Sequence, residues 1–181
     1  MIHFLLRVRQ AIFSPIQKIQ LYMQPRMIKG EHALLDLIDV LKKQHLTRYM
    51  IVTTPGFIKR GTLQSFFDAL NQNDIQYSIF HDVKPDPDIS DVEKLKEMFI
   101  KDGCQALIAI GGGSVIDCSK AALACVQMKK LDVTTVLHTG RVSKQLPLLI
   151  AVPTTAGTGS EVTAGAVITD PIQKRKYALS N

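Results

Sequence analysis

The chain has 181 residues, which is long enough for one domain with a hydrophobic core. Its mean hydropathy is +0.10, and no apolar stretch reaches the roughly 18 residues that a membrane span needs, so a globular protein without a membrane span is expected. The net charge of +6 comes from scattered lysines and arginines without interleaved aromatic residues, which argues against nucleic-acid binding.

Residues 1–24 are predicted to form an extension ahead of the main domain. An apolar set at helical spacing predicts an amphipathic helix: Phe4, Leu5, Val8, Ile12 and Phe13. Arg7 and Arg9 follow the first apolar patch and no small-residue cleavage site is present, so we do not expect a signal peptide. Packing on the domain, self-association and a loose arm are all open for this segment, while its two or three positive charges give only weak support to a membrane-surface role.

Helix-like and strand-like segments alternate over the first half of the main domain. A helix is predicted over 31–45, with one apolar face that consists of Leu34, Leu37, Ile38 and Leu41. Strands are predicted over 49–53 and 77–80, and a helix over 63–70 lies between them. This alternation is typical of a parallel α/β sheet.

The second half of the domain continues the same alternation of helices and strands, and then ends in two successive strands. A helix is predicted over 90–100, with Ser90 as its cap and Glu93 at the capping-box position. Strands are predicted over 106–110 and 148–152. Two later strands, over 165–169 and 176–179, are predicted to form a hairpin around Asp170 and Pro171.

A glycine loop follows the strand over 106–110. Gly111, Gly112 and Gly113 leave the backbone N–H groups accessible, and Ser114 suits the N-cap of a helix over 115–128. A helix start of this kind favours a pyrophosphate group, although a turn that binds nothing remains an alternative. The loop matches neither of the two common nucleotide-binding fingerprints.

A second glycine loop, at 153–162, follows the strand over 148–152. Hydroxyl side chains surround its two glycines: Thr154, Thr155, Thr158 and Ser160. Hydroxyl and backbone N–H groups bind phosphate and ribose oxygens, so this loop is a candidate second half of a nucleotide site. The alternative is a threonine-rich turn that caps the next element.

The two loops together carry a family resemblance. Gly-Gly-Gly-Ser-x-x-Asp-x-x-Lys at 111–120, Pro-Thr-Thr-Ala-Gly-Thr-Gly-Ser-Glu-Val at 153–162 and Val-Ile-Thr-Asp at 167–170 resemble the iron-containing (group III) alcohol dehydrogenase family. The resemblance spans about 25–181 and implies a Rossmann-like, dehydroquinate synthase-like dinucleotide-binding domain over those residues. The dehydroquinate synthase-like enzymes are a related class that shares this domain type, and the loop at 153–162 favours the alcohol dehydrogenase family over that class.

The resemblance implies a cofactor and the residues that bind it. The cofactor is NAD or NADP, and the residues implied are Thr54, Gly111, Gly112, Gly113, Ser114, Asp117, Thr154, Thr155, Thr158, Val167 and Lys176. Lys120 is implied to lie near the cofactor end of the cleft. Alternatively, Asp117 is a helix N-terminal acid favoured by the helix dipole, and Lys120 and Lys176 are solvated surface lysines.

The resemblance also implies an activity that this chain holds only in part. Family members interconvert an alcohol and an aldehyde or ketone by hydride transfer, as homo-oligomers, with iron or zinc bound in a helical second domain. The five histidines here show no pairing at helical metal spacing, so we expect no metal site in the 181 residues and no turnover by this chain alone. The alternative is a truncated or standalone nucleotide-binding module.

Two further positions bear on cofactor choice and cellular location. Thr54 stands where many family members carry an aspartate against the adenosine ribose, which leaves the preference between NAD and NADP open. Cys104, Cys118 and Cys125 are odd in number and have apolar neighbours, so we expect reduced thiols in a cytoplasmic protein. A lowered pKa and a redox role remain an alternative for Cys118, near the helix start.

Overall fold

The computed structural model describes residues 25–128, 131–142 and 145–180, and the predicted extension over 1–24 lies outside them. These residues form α1 (Ala33–Lys42), β1 (Arg48–Val52), α2 (Pro55–Lys59), α3 (Gln64–Gln72), β2 (Gln76–Phe80), α4 (Ile89–Lys101), β3 (Ala106–Gly111), α5 (Gly113–Gln127), α6 (Val133–Thr139), β4 (Leu148–Pro153), β5 (Gly165–Asp170) and β6 (Arg175–Ser180). No helix in this part is long and apolar enough to cross a membrane.

Strands β1 to β4 form one parallel sheet in the order β2-β1-β3-β4, which confirms the predicted fold class. From β1 the chain first moves outward to β2, and then crosses back over β1 to reach β3. The winding direction therefore reverses between β1 and β3. In open parallel sheets, ligands bind outside the carboxyl ends of the strands at such a reversal.

The sheet is covered by helices on both faces. Successive side chains of its central strands point to opposite faces and therefore enter different cores. Met50 and Val52 of β1 join a core shared with α4, α5 and α6. Tyr49 and Ile51 point to the other face and pack with α1 and α3. Every residue of β3 is buried, which explains its uninterrupted apolar sequence.

Two short helices, α2 and α6, are absent from the sequence prediction. Pro55 occupies the first turn of α2, which has only five residues and shows no helical period. Asp132 caps α6 by accepting a hydrogen bond from the Thr135 N–H at 2.8 Å, and Gly140, with a φ of 64°, ends it. The β-branched sequence of α6 has low helix propensity, so its caps and packing determine it.

The predicted hairpin is confirmed: β5 and β6 pair antiparallel. The Asp170 carboxylate accepts hydrogen bonds from the Ile172 N–H at 2.9 Å and the Gln173 N–H at 3.0 Å, which closes the turn. The hairpin also contacts the segment before α4, because the Thr169 N–H donates to the Pro87 carbonyl at 3.0 Å.

The cap predicted for α4 is wrong by two residues. Asp88, not Ser90, is the N-cap, and its carboxylate accepts from the N–H groups of Ser90 at 2.8 Å and Asp91 at 3.1 Å. Asp91, not Glu93, completes the capping box through the Asp88 N–H. Asp88 has an extended backbone, so its carboxylate can reach both donors, whereas Ser90 is already helical.

We expect Asp88→Ala to lower the free energy of unfolding by about 1 kcal/mol at neutral pH. Partial burial raises the pKa of the Asp88 carboxyl, but hydrogen bonds from Ser90 and Asp91 and the charge of Lys84 outweigh it, so the pKa lies below its usual value. The contribution is therefore present above the unfolded-state pKa of about 3.9 and is lost as the pH falls through the folded-state pKa. Urea unfolding at neutral and acid pH measures this, and Asp88→Asn, which can still cap, should lose less.

All three cysteines are free and buried. Burial raises the pKa of the Cys118 thiol, and it raises that of Cys125 to about 11. The helix start near Cys118 therefore does not lower its pKa, and the expected apolar thiol describes it better than a redox role does.

Candidate cofactor-binding site

The start of α5 lies at the carboxyl end of β3. Gly112 is the N-cap, with φ −77° and ψ −174°, and no side chain caps this helix. The prediction that Ser114 is the cap is therefore wrong, because Ser114 lies inside the first turn. A helix start without a side-chain cap leaves backbone N–H donors for an anion.

The three consecutive glycines are explained by the close approach of neighbouring side chains, which leaves little room for a Cβ atom at each position. None of the three has a positive φ. A Cβ atom on Gly111, the last residue of β3, would lie 2.5 Å from Val115 Cγ2 in the first turn of α5. A Cβ on Gly112 would lie 3.1 Å from Thr155 Oγ1, and one on Gly113 would lie 3.1 Å from Ser160 Oγ. The second glycine loop thus packs directly on the first.

The adjacent strands β3 and β4 bring the two loops together. Gly111 is paired with Pro153 at the end of the parallel ladder, and the Thr154 N–H donates to the Gly111 carbonyl at 3.0 Å. Beyond β4 the chain turns through Gly157 and Gly159, with φ values of 82° and 66° that favour glycine. The three threonines that the resemblance implies as cofactor contacts, Thr154, Thr155 and Thr158, are exposed along this loop.

Asp117 and Lys120 lie one turn apart on α5 and both bond to the chain that follows β4. Asp117 Oδ2 accepts a hydrogen bond from the Val167 N–H of β5 at 3.1 Å. Lys120 Nζ donates to the carbonyls of Ser160, Thr163 and Gly165. Burial lowers the pKa of Lys120 against the opposing charges of Asp117 and Glu161. Lys120 is therefore not a solvated surface lysine.

Two threonines follow β1 at the point where the winding direction reverses. Thr53 is buried, and its hydroxyl donates to the Ile110 carbonyl of β3 at 2.8 Å. Thr54 is half-buried and is the N-cap of α2 in an extended conformation. Arg60, at the other end of α2, holds its guanidinium 5.4 Å from the Phe57 ring centre. A cationic group thus lies at the C-terminal end of the short helix that follows Thr54.

The hairpin carries the two remaining predicted residues, Val167 and Lys176. Val167 is 44% exposed, and its N–H is the one bonded by Asp117. Lys176 Nζ forms an ion pair with Asp86 Oδ1 at 2.8 Å, and both side chains are exposed. An exposed pair of this kind contributes little to stability and can exchange for another anion.

Sequence reasoning missed the structural roles of Thr53 and Lys120. Thr53 precedes Thr54, the residue predicted to contact the cofactor, and its hydroxyl bonds Ile110 of β3, which lies 57 residues later in the chain. The spacing of Asp117 and Lys120, three apart on one helix, could have signalled a shared face. Their partners on that face become visible only in the folded chain.

The described residues fit a dinucleotide better than a metal ion. In the ranges 25–128, 131–142 and 145–180, no group of three or more His, Cys, Asp or Glu side chains could hold a metal ion. The iron implied by the resemblance thus finds no ligand set among them. The bare helix start and the adjacent hydroxyl loop match the anionic and hydroxyl groups of NAD or NADP.

Comparison with known proteins places this geometry in a family. A family profile described as iron-containing alcohol dehydrogenase matches residues 24–181. Choline dehydrogenase of Bacillus subtilis is 33% identical over 165 residues, which are 90% of this chain and 41% of that protein. An aldehyde-alcohol dehydrogenase of Streptococcus pneumoniae is 36% identical over 159 residues, which are 81% of this chain and 18% of that protein.

A solved structure agrees with the sequence relatives. Sulfoacetaldehyde reductase from Bifidobacterium kashiwanohense, in complex with NAD+, superposes with a TM-score of 0.75 at 33% identity, over 87% of this chain and 42% of that one. The chain therefore spans about two fifths or less of the length of these relatives. With its Rossmann-like parallel sheet and a profile match over nearly all its residues, the chain belongs to the iron-containing alcohol dehydrogenase family.

Proposed function

We propose that this chain is the NAD(P)-binding portion of a metal-dependent alcohol dehydrogenase that interconverts an alcohol and an aldehyde or ketone. The observation that carries the proposal is the uncapped start of α5, packed against a hydroxyl-rich loop where the sheet reverses its winding. Family membership supports the same reading. When bound, the nicotinamide accepts or donates the hydride.

In this proposal, the chain's own residues bind and orient the dinucleotide. The backbone of Gly111, Gly112, Gly113 and Ser114 receives the pyrophosphate at the helix start. Thr154, Thr155 and Thr158 donate to phosphate or ribose oxygens, and Asp117 borders the same edge. Thr54 faces the adenosine ribose, and Val167 and Lys176 flank the adenosine half. The cofactor-binding domain is 25–181, and 1–24 is a separate extension.

The substrate, assembly and location belong to the same proposal. Relatives are named choline dehydrogenase, lactaldehyde reductase and 4-hydroxybutyrate dehydrogenase, which supports a small-molecule alcohol or aldehyde as substrate. Iron or zinc would be bound by residues other than those described, and a homo-oligomer is proposed from the family resemblance. Three buried free thiols support a reducing, cytoplasmic location.

Calorimetric titration of the 181-residue chain with NAD+, NADP+ and their reduced forms tests the proposal. We expect weak binding, because this chain contributes one wall of the cleft. Absence of binding for all four dinucleotides at millimolar concentration would contradict a cofactor-binding role.

A second candidate function is a dinucleotide-binding module without turnover, because the two packed glycine loops would serve that role equally well. We expect no oxidation of small alcohols by this chain with NAD+ or NADP+, even with added Fe²⁺ or Zn²⁺. The reason is that the described residues supply no metal-ligand group to polarise the alcohol oxygen. Reduced cofactor formed in a metal-dependent way by the purified chain would refute this expectation.

A further inference from the structure

Three backbone carbonyls converge on the ammonium group of Lys120. Lys120 Nζ lies 2.5 Å from the Ser160 oxygen, 2.6 Å from the Thr163 oxygen and 2.9 Å from the Gly165 oxygen. A lysine ammonium has three N–H donors and no acceptor, so three carbonyls match its full donor capacity. In this arrangement Lys120 binds the polypeptide chain and has no N–H left for a phosphate oxygen.

The segment that these carbonyls belong to is the one that packs on the glycine loop. Ser160, whose carbonyl accepts from Lys120, also places its hydroxyl 3.1 Å from where a Cβ of Gly113 would lie. The same α5 helix ties β5 through Asp117, one turn earlier. Helix α5 thus provides the glycine start and, through Lys120 and Asp117, also bonds the chain that packs against that start.

We propose that Lys120 is a positioning residue, whose ammonium holds residues 154–165 against the glycine start of α5 and so raises dinucleotide affinity without contacting the cofactor. The inference rests on the proposed function and deepens it. A loop held in its binding conformation before the ligand arrives loses less conformational entropy on binding. The hydroxyls of Thr155 and Thr158 are the groups that this ordering presents.

The charge on Lys120 is essential to this arrangement. An uncharged amine has two N–H groups and a lone pair, and the lone pair would face a carbonyl oxygen. Burial lowers the pKa of Lys120, while the carboxylates that face it, Asp117 on α5 and Glu161 on the loop, act in the opposite direction. Affinity should therefore fall as the pH rises towards the ordinary lysine pKa of about 10.4.

The test compares Lys120→Met with Lys94→Met, which removes the same charge from an exposed position on α4. NADH binding is measured by calorimetry, amide hydrogen exchange by mass spectrometry, and unfolding by urea. We expect Lys120→Met to weaken NADH binding about tenfold or more and to speed exchange selectively in 154–165. Lys94→Met should match the parent in both respects.

The pH profile distinguishes positioning from a general loss of stability. NADH affinity of the parent and of Lys94→Met should decline more steeply between neutral pH and about 10 than that of Lys120→Met, since the other lysines are common to all three proteins. If Lys120→Met does not fold, Lys120→Arg replaces it: its charge persists over this range, so its NADH affinity should decline less with pH than that of the parent. Unchanged exchange in 154–165, or unchanged NADH affinity with faster exchange, would overturn it. A parent that binds no NADH refutes the proposed function instead, and exchange then still decides whether Lys120 orders the loop.

Discussion

Gly112→Val is expected to abolish detectable dinucleotide binding while the chain remains folded. The backbone at Gly112, with φ −77° and ψ −174°, is open to any residue, so the substitution causes no backbone strain. Its Cβ would lie 3.1 Å from Thr155 Oγ1 of the second glycine loop, and valine adds two methyl groups to that Cβ. Loss of several charge-assisted hydrogen bonds to a pyrophosphate corresponds to roughly a hundredfold or more in affinity.

Calorimetric titration with NADH measures the effect, and urea unfolding verifies the fold. Ser65→Val is a control, because it places a valine at an exposed position of α3, outside both glycine loops and the hairpin. The double variant Gly112→Val with Thr155→Ala removes the contact partner, and we expect it to remain unable to bind. Parental affinity in Gly112→Val would show that the glycine loop is only a turn. Recovery in the double variant would trace the loss to displaced Thr155.

Thr54→Asp is expected to shift cofactor preference toward NAD by about 1–3 kcal/mol, roughly ten- to a hundredfold in relative affinity. The parent should discriminate only modestly between NAD and NADP, because Thr54 carries no charge to repel a 2′-phosphate. Arg60, the C-cap of the short helix α2 that Thr54 begins, is cationic and does not repel a 2′-phosphate either. A carboxylate at this position would accept from the ribose 2′-hydroxyl and repel the 2′-phosphate.

The measurement is the pair of dissociation constants for NADH and NADPH in the parent and the variant. Thr54→Asn separates the two contributions, because it can accept a hydrogen bond but has no charge. It should shift the ratio less than Thr54→Asp does. A ratio that Thr54→Asp leaves unchanged would show that residue 54 does not face the ribose.

Several elements of the fold were predictable because their signals are local. The uninterrupted apolar run of β3 indicates a strand covered on both faces, and the structure buries it completely. The predicted face of α1 contains Leu37, Ile38 and Leu41, all buried. The hairpin of β5 and β6 follows from two short strands around Asp170, whose side chain closes the turn. In each case neighbouring residues in sequence are also neighbours in space.

Helix starts were less predictable, because several cap-forming residues stand close together. Asp88 and Ser90 both suit an N-cap, and Gly112 and Ser114 both lie at the start of α5. In each pair the N-cap is the residue with an extended backbone, Asp88 or Gly112. That conformation depends on the direction in which the preceding loop or strand enters the helix. Helix α6 is similar, since its own residues disfavour a helix that its caps and packing impose.

From sequence alone, the two glycine loops, their hydroxyl groups and the parallel α/β class were determined, because composition and periodicity encode them. Only the tertiary structure decided that the loops touch, through the pairing of β3 with β4, and that Lys120 faces carbonyls instead of solvent. The partners of Lys120 lie 40 to 45 residues away along the chain. Contacts over such separations depend on how the sheet and the hairpin pack, which no local pattern specifies.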